Sequence, residues 1–236
     1  MNNQSKVIVV TGASQGIGAE VVKAFRELGY RIVATSRSIK PVDDEDILTV
    51  AGDIGERDTA ERVIAEGLAR FGRIDTLVNN AGNFISKPFT EHSVDDYSAA
   101  MHVNMRGFFN ITQLAIAEME KRGSGHVVTL TTSIDQVAIS GTHTVLAAMT
   151  KGGLNAATKS LAIEYAKKGI RVNAVAPGAI RTPMYAPADY QALSALQPIG
   201  RMGEPGEIAS AILFLDRSPF ITGEILHVDG GQSAGH

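Results

Sequence analysis

A short glycine-rich segment near the start of the chain could hold a diphosphate. The segment Thr11–Gly18 reads TGASQGIG and directly follows the apolar run Val7–Val10. Glycines at such a turn let the backbone approach a pyrophosphate closely, and a helix that opens there offers unpaired N–H donors and a partial positive charge. The spacing is Gly-x-x-x-Gly-x-Gly rather than the commoner Gly-x-Gly-x-x-Gly, and by itself it could also be a plain glycine-rich turn.

A basic residue follows the second predicted strand, at a position that distinguishes two nicotinamide coenzymes. NAD sites usually carry an acid about 20 residues beyond the glycines, and NADP sites replace it with a cation. Here that position holds Arg37, and no acid occurs until Asp43. An arginine can meet a 2′-phosphate, with Ser14, Ser36 and Ser38 as supporting donors. NADP(H) is therefore the expected coenzyme and NAD(H) the second choice, a solvated loop arginine being the alternative interpretation.

These groups need a sheet and helices to position them, and the hydrophobic pattern predicts both. Short β-branched runs alternate with amphipathic segments, which indicates a single doubly wound α/β domain over residues 1–236, a Rossmann fold with a parallel sheet of about seven strands flanked by helices. A stretch without periodicity, about 183–205, is expected to be a substrate flap. The predicted strands are Lys6–Val10, Arg31–Ala34, Ile47–Val50, Thr76–Asn79, His126–Leu130, Ile170–Val175 and Glu224–Val228. The predicted helices are Gly16–Leu28, Asp58–Phe71, Val94–Lys121, Leu146–Lys168 and Glu207–Leu215.

Composition excludes several other classes of function. The 236 residues carry 22 Lys+Arg against 25 Asp+Glu, a formal charge of -3 at pH 7, which leaves no basic face for a nucleic acid. The chain has no cysteine, and its six histidines lack the helical spacing of metal ligands, so no metal site is expected. No run approaches the ~18 apolar residues of a membrane span, and the start lacks a secretory segment. We therefore expect a cytoplasmic protein with no membrane partner.

Several motifs in a fixed order resemble the short-chain dehydrogenase/reductase family. The glycine segment resembles that family's Thr-Gly-x-x-x-Gly-x-Gly motif, and 223–231 resembles its last strand and glycine end. The resemblance covers nearly the whole chain and implies a nicotinamide-dependent oxidoreductase acting on a small molecule. The other matching segments, in chain order, are Asn79-Asn80-Ala81-Gly82, Asn104 in the long middle helix, Ser133 after a strand, and Pro177-Gly178 followed by Thr182.

The resemblance also implies which residues bind the coenzyme. Asp53 and Ile54 would flank the adenine, Asn79, Ala81 and Gly82 would pass beneath the adenosine ribose, and Lys151 would hold the nicotinamide ribose. The other expected contacts lie in the glycine turn, after the second strand and before the flap: Gly12, Ser14, Gln15, Gly16, Ile17, Gly18, Ser36, Arg37, Pro177, Gly178, Ile180 and Thr182. Gln15 weakens the case for NADP(H), because relatives that prefer it often carry a second basic residue within this turn.

The family's usual catalytic pair is incomplete in this sequence. Members carry Tyr-x-x-x-Lys on a helix, where the tyrosine gives a proton to the carbonyl oxygen and the lysine lowers the pKa of the phenol, ordinarily ~10. The lysine corresponds to Lys151, but the residue four before it is Ala147, so the phenol is absent. The resemblance still implies catalytic roles for three residues. Asn104 and Lys151 would position coenzyme and ordered water, and Ser133 would bond the substrate.

The source of the proton is therefore open, and several alternatives remain. His143 is one candidate, because an imidazole with pKa near ~6.5 acts as acid or base. It lies four residues before Ala147 and would share the helix face of Ala147 if the helix begins that early. The alternative for His143 is a surface or capping histidine. Tyr185 in the flap is the other candidate, with packing or substrate contact as its alternative.

Two further interpretations follow from the missing phenol. The substrate could be an enone or an imine, whose reduction demands less of an acid, and Ala147 would then open room for it. The chain could instead bind coenzyme without turnover, as a sensor or a partner subunit. The predicted helices 94–121 and 146–168 carry apolar residues on more than one face. By resemblance these helices build a tetramer, so a homotetramer is expected, with a dimer next.

Overall fold

A computed structural model describes residues 5–235, and a seven-stranded parallel sheet forms its centre. The sheet order is β3-β2-β1-β4-β5-β6-β7, which confirms the predicted doubly wound α/β fold. Each observed strand overlaps a predicted one, because buried parallel strands are apolar on consecutive positions. The strands are β1 (Val7–Thr11), β2 (Arg31–Ser36), β3 (Ile47–Ala51), β4 (Thr76–Asn79), β5 (Gly125–Leu130), β6 (Ile170–Pro177) and β7 (Ile225–Val228).

Helices cover both faces of the sheet and bury a separate apolar cluster on each. On one face Val7 and Val9 of the first strand pack in a cluster with helix residues such as Ile111. On the other face Ile8 and Val10 pack in a cluster with helix residues such as Phe25 and Ile212. The helices are α1 (Gly16–Glu27), α2 (Arg57–Phe71), α3 (Val94–Ala100), α4 (Gly107–Arg122), α5 (Val145–Tyr165), α6 (Tyr190–Ala195) and α7 (Pro205–Arg217).

The strand order reverses between β1 and β4, and the loops that leave these two strands are tied together. The Thr11 Oγ1 accepts hydrogen bonds from the backbone N–H groups of Asn80 and Ala81, both at 3.0 Å. The Asn80 side chain donates back to the carbonyls of Thr11 at 2.9 Å and Gly12 at 3.1 Å. In open α/β sheets a crevice opens outside the carboxyl ends of the strands at such a reversal, and ligands bind there.

The predicted long helix Val94–Lys121 is interrupted. Residues Met101–Arg106 form a π-helical turn between α3 and α4, so the prediction of one continuous helix is corrected. A π-helical turn spreads one extra residue over a helical turn and is frequent at functional sites. The helix continues at Gly107, where a Cβ atom would lie 2.9 Å from the Ile54 Cγ2, so that α4 can lie close to the segment after β3.

Smaller differences occur in the flap and at helix ends. The segment 183–205, predicted without regular structure, contains a 3-10 turn at Pro187–Asp189 and the short helix α6. The helix predicted as Leu146–Lys168 begins one residue earlier and ends at Tyr165, followed by a 3-10 turn at Ala166–Lys168. Across residues 5–235, none of the helices combines the length and the apolar character that crossing a bilayer requires.

Candidate active site

A cavity of about 800 Å³ lies along the carboxyl ends of the central strands. Its walls come from the glycine turn after β1, the end of β2, the segments that follow β4 and β5, and the segment from the end of β6 into the flap. The last of these segments contains four residues that the resemblance implies for the coenzyme, and all four line the cavity: Pro177, Gly178, Ile180 and Thr182. The cavity therefore joins segments far apart in sequence, as the sheet topology predicts for its carboxyl edge.

The glycine turn presents backbone donors to this cavity. Gly12 and Gly16 have φ values of 65° and 56°, which residues with a Cβ rarely adopt, and a Cβ on Gly18 would overlap with the Gly12 carbonyl. The side chain of the N-cap residue Gln15 makes no capping hydrogen bond at the start of α1, and the first turn of this helix contains no acid. The first N–H groups of the helix are thus left for another acceptor, which fits a diphosphate.

The end of β2 supplies a cation and unpartnered hydroxyls. Ser36, Arg37 and Ser38 line the cavity, as Ser14, Gln15 and Ile17 do in the turn that faces them. The hydroxyl oxygens of Thr35 and Ser36 are buried without a hydrogen-bond partner among residues 5–235. Orphaned buried hydroxyls are uncommon, and beside an arginine they fit a site for a polar ligand group.

The remaining residues implied for the adenosine half divide into two groups. Asp53, Ile54, Ala81 and Gly82 line the cavity. Asn79 does not, because its buried side chain donates to the Thr112 Oγ1 at 2.8 Å. Asn79 therefore joins β4 to α4 and lies beneath the site rather than in it.

Asn104 connects the π-helical turn to the other side of the cavity. It is buried, and its Oδ1 accepts from the Asn83 backbone N–H at 2.9 Å. Its Nδ2 donates to the Asn83 carbonyl at 3.2 Å and to the Thr150 Oγ1 at 3.1 Å. Both ends of the amide are thus satisfied, and Asn104 fixes the loop after β4 against α5, one residue before Lys151.

Lys151 extends from α5 into the cavity. Its Nζ donates to the Thr131 carbonyl at 3.1 Å, and its stem passes Gly82, where a Cβ would lie 3.9 Å from the Lys151 Cε. Burial lowers the pKa of this ammonium to about 8. A lysine placed in this way has two N–H groups beyond its bond to Thr131, which could hold ribose hydroxyls or a substrate atom.

Ser133 is not brought to the cavity wall. Its side chain is buried, and its hydroxyl donates to the Gln232 Oε1 at 2.6 Å. The neighbouring Thr132 lines the cavity instead. Thr132 and Ser133 follow the end of β5, and of these two neighbours only Thr132 lines the cavity. The Ser133 hydroxyl is therefore occupied by Gln232, and its expected contact with a substrate stays a prediction.

The two proton-donor candidates line the cavity, but Ala147 does not. Because α5 begins at Val145, His143 precedes the helix and is exposed, so it does not share a helix face with Ala147. Tyr185 lies in the flap, where burial raises the pKa of its phenol. Ala147 is buried within the first turns of α5. Within residues 5–235, no three potential metal ligands are grouped.

The cavity is also lined by residues that no sequence motif predicts, among them Thr132, Gln232 and His102. Thr132 was not predicted, because the adjacent Ser133 is the residue that matches the serine of the family motif. Gln232 contacts Ser133 across 99 positions, a pairing that no local pattern indicates. His102 lies in the π-helical turn with its Nε2 3.3 Å from the Asp53 Oδ1, and it would have been visible only if that turn had been recognised.

The chain is similar to known proteins over nearly its whole length. The family model described as Enoyl-(Acyl carrier protein) reductase matches residues 12–233. A 3-oxoacyl-[acyl-carrier-protein] reductase from Thermotoga maritima is 35% identical over 250 residues, covering 98% of this chain and 99% of the relative. A crystal structure of a short-chain type dehydrogenase/reductase from Mycobacterium marinum has a TM-score of 0.92 at 30% identity, covering 98% of this chain and 97% of that one. ElxO with NADP bound has a TM-score of 0.91 at 29% identity, covering 98% and 100%.

Proposed function

The chain belongs to the short-chain dehydrogenase/reductase family, and we propose that it is an NADP(H)-dependent oxidoreductase with an atypical active site. The reaction is hydride transfer to or from a small or medium substrate, of the carbonyl/alcohol, enone or imine class. The observation that carries this proposal is one cavity that is lined by both the uncapped start of α1 and Lys151. A site for a phosphorylated coenzyme and a site for proton chemistry thus share one volume.

The residues present fit NADP(H). The backbone donors at Gly16 and Gly18 would hold the diphosphate, Arg37 the 2′-phosphate, and Lys151 the nicotinamide ribose. When bound in reduced form, the coenzyme supplies a hydride. That NADP is bound in ElxO, a protein similar over the whole chain, supports this assignment. NAD(H) is the second coenzyme of the proposal. The glycine turn contains no basic residue that could bind the 2′-phosphate together with Arg37.

Substrate binding is assigned to the wall between Thr132 and the flap. Thr132 would donate a hydrogen bond from its hydroxyl to the substrate oxygen or nitrogen, taking the role expected of Ser133, because Thr132 is the one of the two residues that lines the cavity. Tyr185, Leu193 and Leu196 of the flap would contact the apolar part of the substrate. The volume of about 800 Å³ must hold both coenzyme and substrate, which supports a small or medium substrate.

Two measurements test the proposal. Isothermal calorimetry with NADP⁺, NADPH, NAD⁺ and NADH should give saturable binding that is tightest for the phosphorylated pair. NADPH oxidation should then be followed with ethyl acetoacetate, cyclohex-2-enone and 1-pyrroline, which represent ketones, enones and imines. Absence of binding by all four coenzymes would overturn the proposal.

A non-catalytic coenzyme-binding protein is the second candidate. It is favoured by one observation, that Ala147 stands where relatives of this family carry the phenol. In that case calorimetry would still show saturable binding of NADP(H), but the chain would oxidise NADPH with none of the three probes.

We also propose that the chain forms a homotetramer, or failing that a dimer. Large apolar side chains are exposed on α4 and α5, among them Phe109, Met149 and Ile163, and on α7 at Phe214. Helix faces of this kind are commonly covered by another subunit. Light scattering coupled to size-exclusion chromatography should give four times the mass of 25.0 kDa.

A further inference from the structure

A reductase of this type needs a group that gives a proton to the substrate, and the missing phenol leaves that role unfilled. The groups that line the cavity and could exchange a proton are few. His143 is exposed before α5, and burial raises the pKa of Tyr185, which makes that phenol a weaker acid at neutral pH than a free tyrosine. Neither group is therefore well suited to the task.

Lys151 differs from both in position and surroundings. It lines the main cavity and also a second, small space, which Asn104 and Leu154 line as well. Its ammonium makes one hydrogen bond, to the Thr131 carbonyl. Burial is the cause that lowers its pKa to about 8, with no charged partner contributing among the described residues. An acid with a pKa close to the working pH transfers a proton efficiently.

Among the described residues, no charged side chain stabilises the ammonium of Lys151. Gly82, Asn104 and Leu154, which pack around the lysine stem, are all uncharged. Asp135, in the loop after β5, lies against Gly152, but its carboxylate accepts from the Asn155 Nδ2 at 2.6 Å. The other titratable groups that line the cavity are Arg37, Asp53, His102, His143 and Tyr185.

We propose that Lys151 is itself the acid–base group of this site, donating a proton directly to the substrate in the place of a phenol. The proposal rests on the hydride-transfer function proposed above. When bound in reduced form, the coenzyme would supply the hydride to the substrate carbon, and the electron pair of the carbonyl π bond would move to the oxygen. One N–H bond of Lys151 breaks and an O–H bond forms at the substrate oxygen. The neutral amine then recovers a proton from water in the cavity.

The first test compares the wild-type chain with Lys151→Arg, which keeps the cation but is a very weak acid. With NADPH and ethyl acetoacetate, the wild-type kcat/KM should fall as the pH rises past about 8, because the ammonium deprotonates. Lys151→Arg should still bind NADPH, measured by fluorescence, but lose at least about 10²-fold in kcat. A wild-type rate that does not change between pH 7 and 9.5, or a Lys151→Arg variant with near wild-type kcat, overturns the proposal.

The second test restores the acid from solution. Lys151→Ala should regain NADPH oxidation when methylammonium, 2-methoxyethylammonium or cyanomethylammonium is added, and the rate should depend on the pKa of the added ion. Rescue that is equal for the three ions would mean that the cation only fills space or holds the ribose. If the variant does not fold, the wild-type pH profile decides.

A third readout does not require turnover. Acetylation of Lys151 in the coenzyme-free chain by acetic anhydride, followed by peptide mass spectrometry across pH, should show a midpoint near 8. Exposed Lys40 lies outside the cavity and serves as the internal reference for the amount of label added. A Lys151 midpoint at the ordinary lysine value of 10.5 overturns the acid role. Failure of the oxidoreductase function itself is distinguishable, since the wild type would then oxidise NADPH with none of the three probes.

Discussion

The Ser133 hydroxyl donates to the Gln232 Oε1 at 2.6 Å, across 99 positions of the chain. The Gln232 Nε2 donates in turn to the Leu196 carbonyl at 3.4 Å. This pair joins the loop after β5 to the C-terminal segment and to the end of the flap. Ser133 thus stabilises the wall of the cavity, and its neighbour Thr132 is the residue that lines the cavity.

Thr132→Val is expected to lower kcat/KM for ethyl acetoacetate by about 10²-fold, because it removes a donor to the developing negative charge while keeping the side-chain shape. Steady-state NADPH oxidation measures this. The matched control is Ser133→Ala, which should leave turnover nearly unchanged and lower the free energy of unfolding by about 1 kcal/mol, since the Gln232 Oε1 loses its donor. If instead Ser133→Ala abolishes turnover and Thr132→Val does not, the assignment is reversed.

Arg37→Ala is expected to weaken NADPH binding by roughly 1.5–3 kcal/mol, about 10- to 100-fold, because the 2′-phosphate loses a charge-assisted hydrogen bond. NADH has no 2′-phosphate, so its binding should be nearly unchanged. Calorimetry with both coenzymes gives the two dissociation constants. Arg217→Ala removes the same charge from an exposed position outside the cavity and should change neither. Equal weakening of both coenzymes by Arg37→Ala would contradict a 2′-phosphate site.

Ala147→Tyr is expected to increase the reduction of ethyl acetoacetate by one or more orders of magnitude, because it supplies a phenol four residues before Lys151 on the same helix face. Ala147→Phe is the matched control, since it adds the same ring without the hydroxyl. Both changes enlarge a buried residue and should cost about 1–3 kcal/mol of stability. A gain shared by both variants, or by neither, would show that proton supply does not limit the wild-type rate.

The buried His126 is expected to make the folded state less stable in acid. Burial lowers its pKa to about 4, from 6.5. Asn173 donates to its Nε2 at 3.1 Å, so its proton lies on Nδ1, which is 3.4 Å from the Asp216 Oδ1. Below pH 6.5 the unfolded chain binds a proton that the folded chain refuses until about pH 4. The free energy of unfolding should thus fall by up to about 3 kcal/mol across this window.

Urea denaturation at steps of pH between 7 and 4 measures this loss. His126→Gln cannot titrate, so its stability should vary less with pH, although it is lower at pH 7 because the bonds to Asp216 and Asn173 change. His143→Gln removes an exposed histidine and should follow the wild-type curve. Parallel curves for the wild type and His126→Gln would show that His126 does not titrate as described.

The sequence was most informative where local chemistry dictates structure. The strands were predicted because β-branched residues run consecutively where both faces of a sheet are buried. The glycine turn was predicted because positive φ at Gly12 and Gly16 restricts the residue type. Arg37 was placed correctly in the cavity wall because it directly follows β2, whose position the fold fixes.

Other features depend on contacts that no local pattern records. The π-helical turn at Met101–Arg106 contains no proline or glycine to mark it, so a single helix was predicted there. Of the neighbours Thr132 and Ser133, which follow β5, only Thr132 lines the cavity, and two adjacent hydroxyls are indistinguishable by motif. The partner of Ser133 comes from the C-terminal segment, which only the folded chain brings near.

The π-helical turn also determines how α4 is rotated about its axis relative to α3, because it lies between these two helices. His102 reaches Asp53 from this turn, Asn104 reaches Thr150, and Asn110 of α4 donates to the Gly55 carbonyl at 3.0 Å. Removing one residue here would rotate everything that follows by about 100°. Both halves of the cavity would go out of alignment at once, so single-residue deletions should be tolerated far less here than in the flap, and length at 101–106 should be the least variable property of the chain.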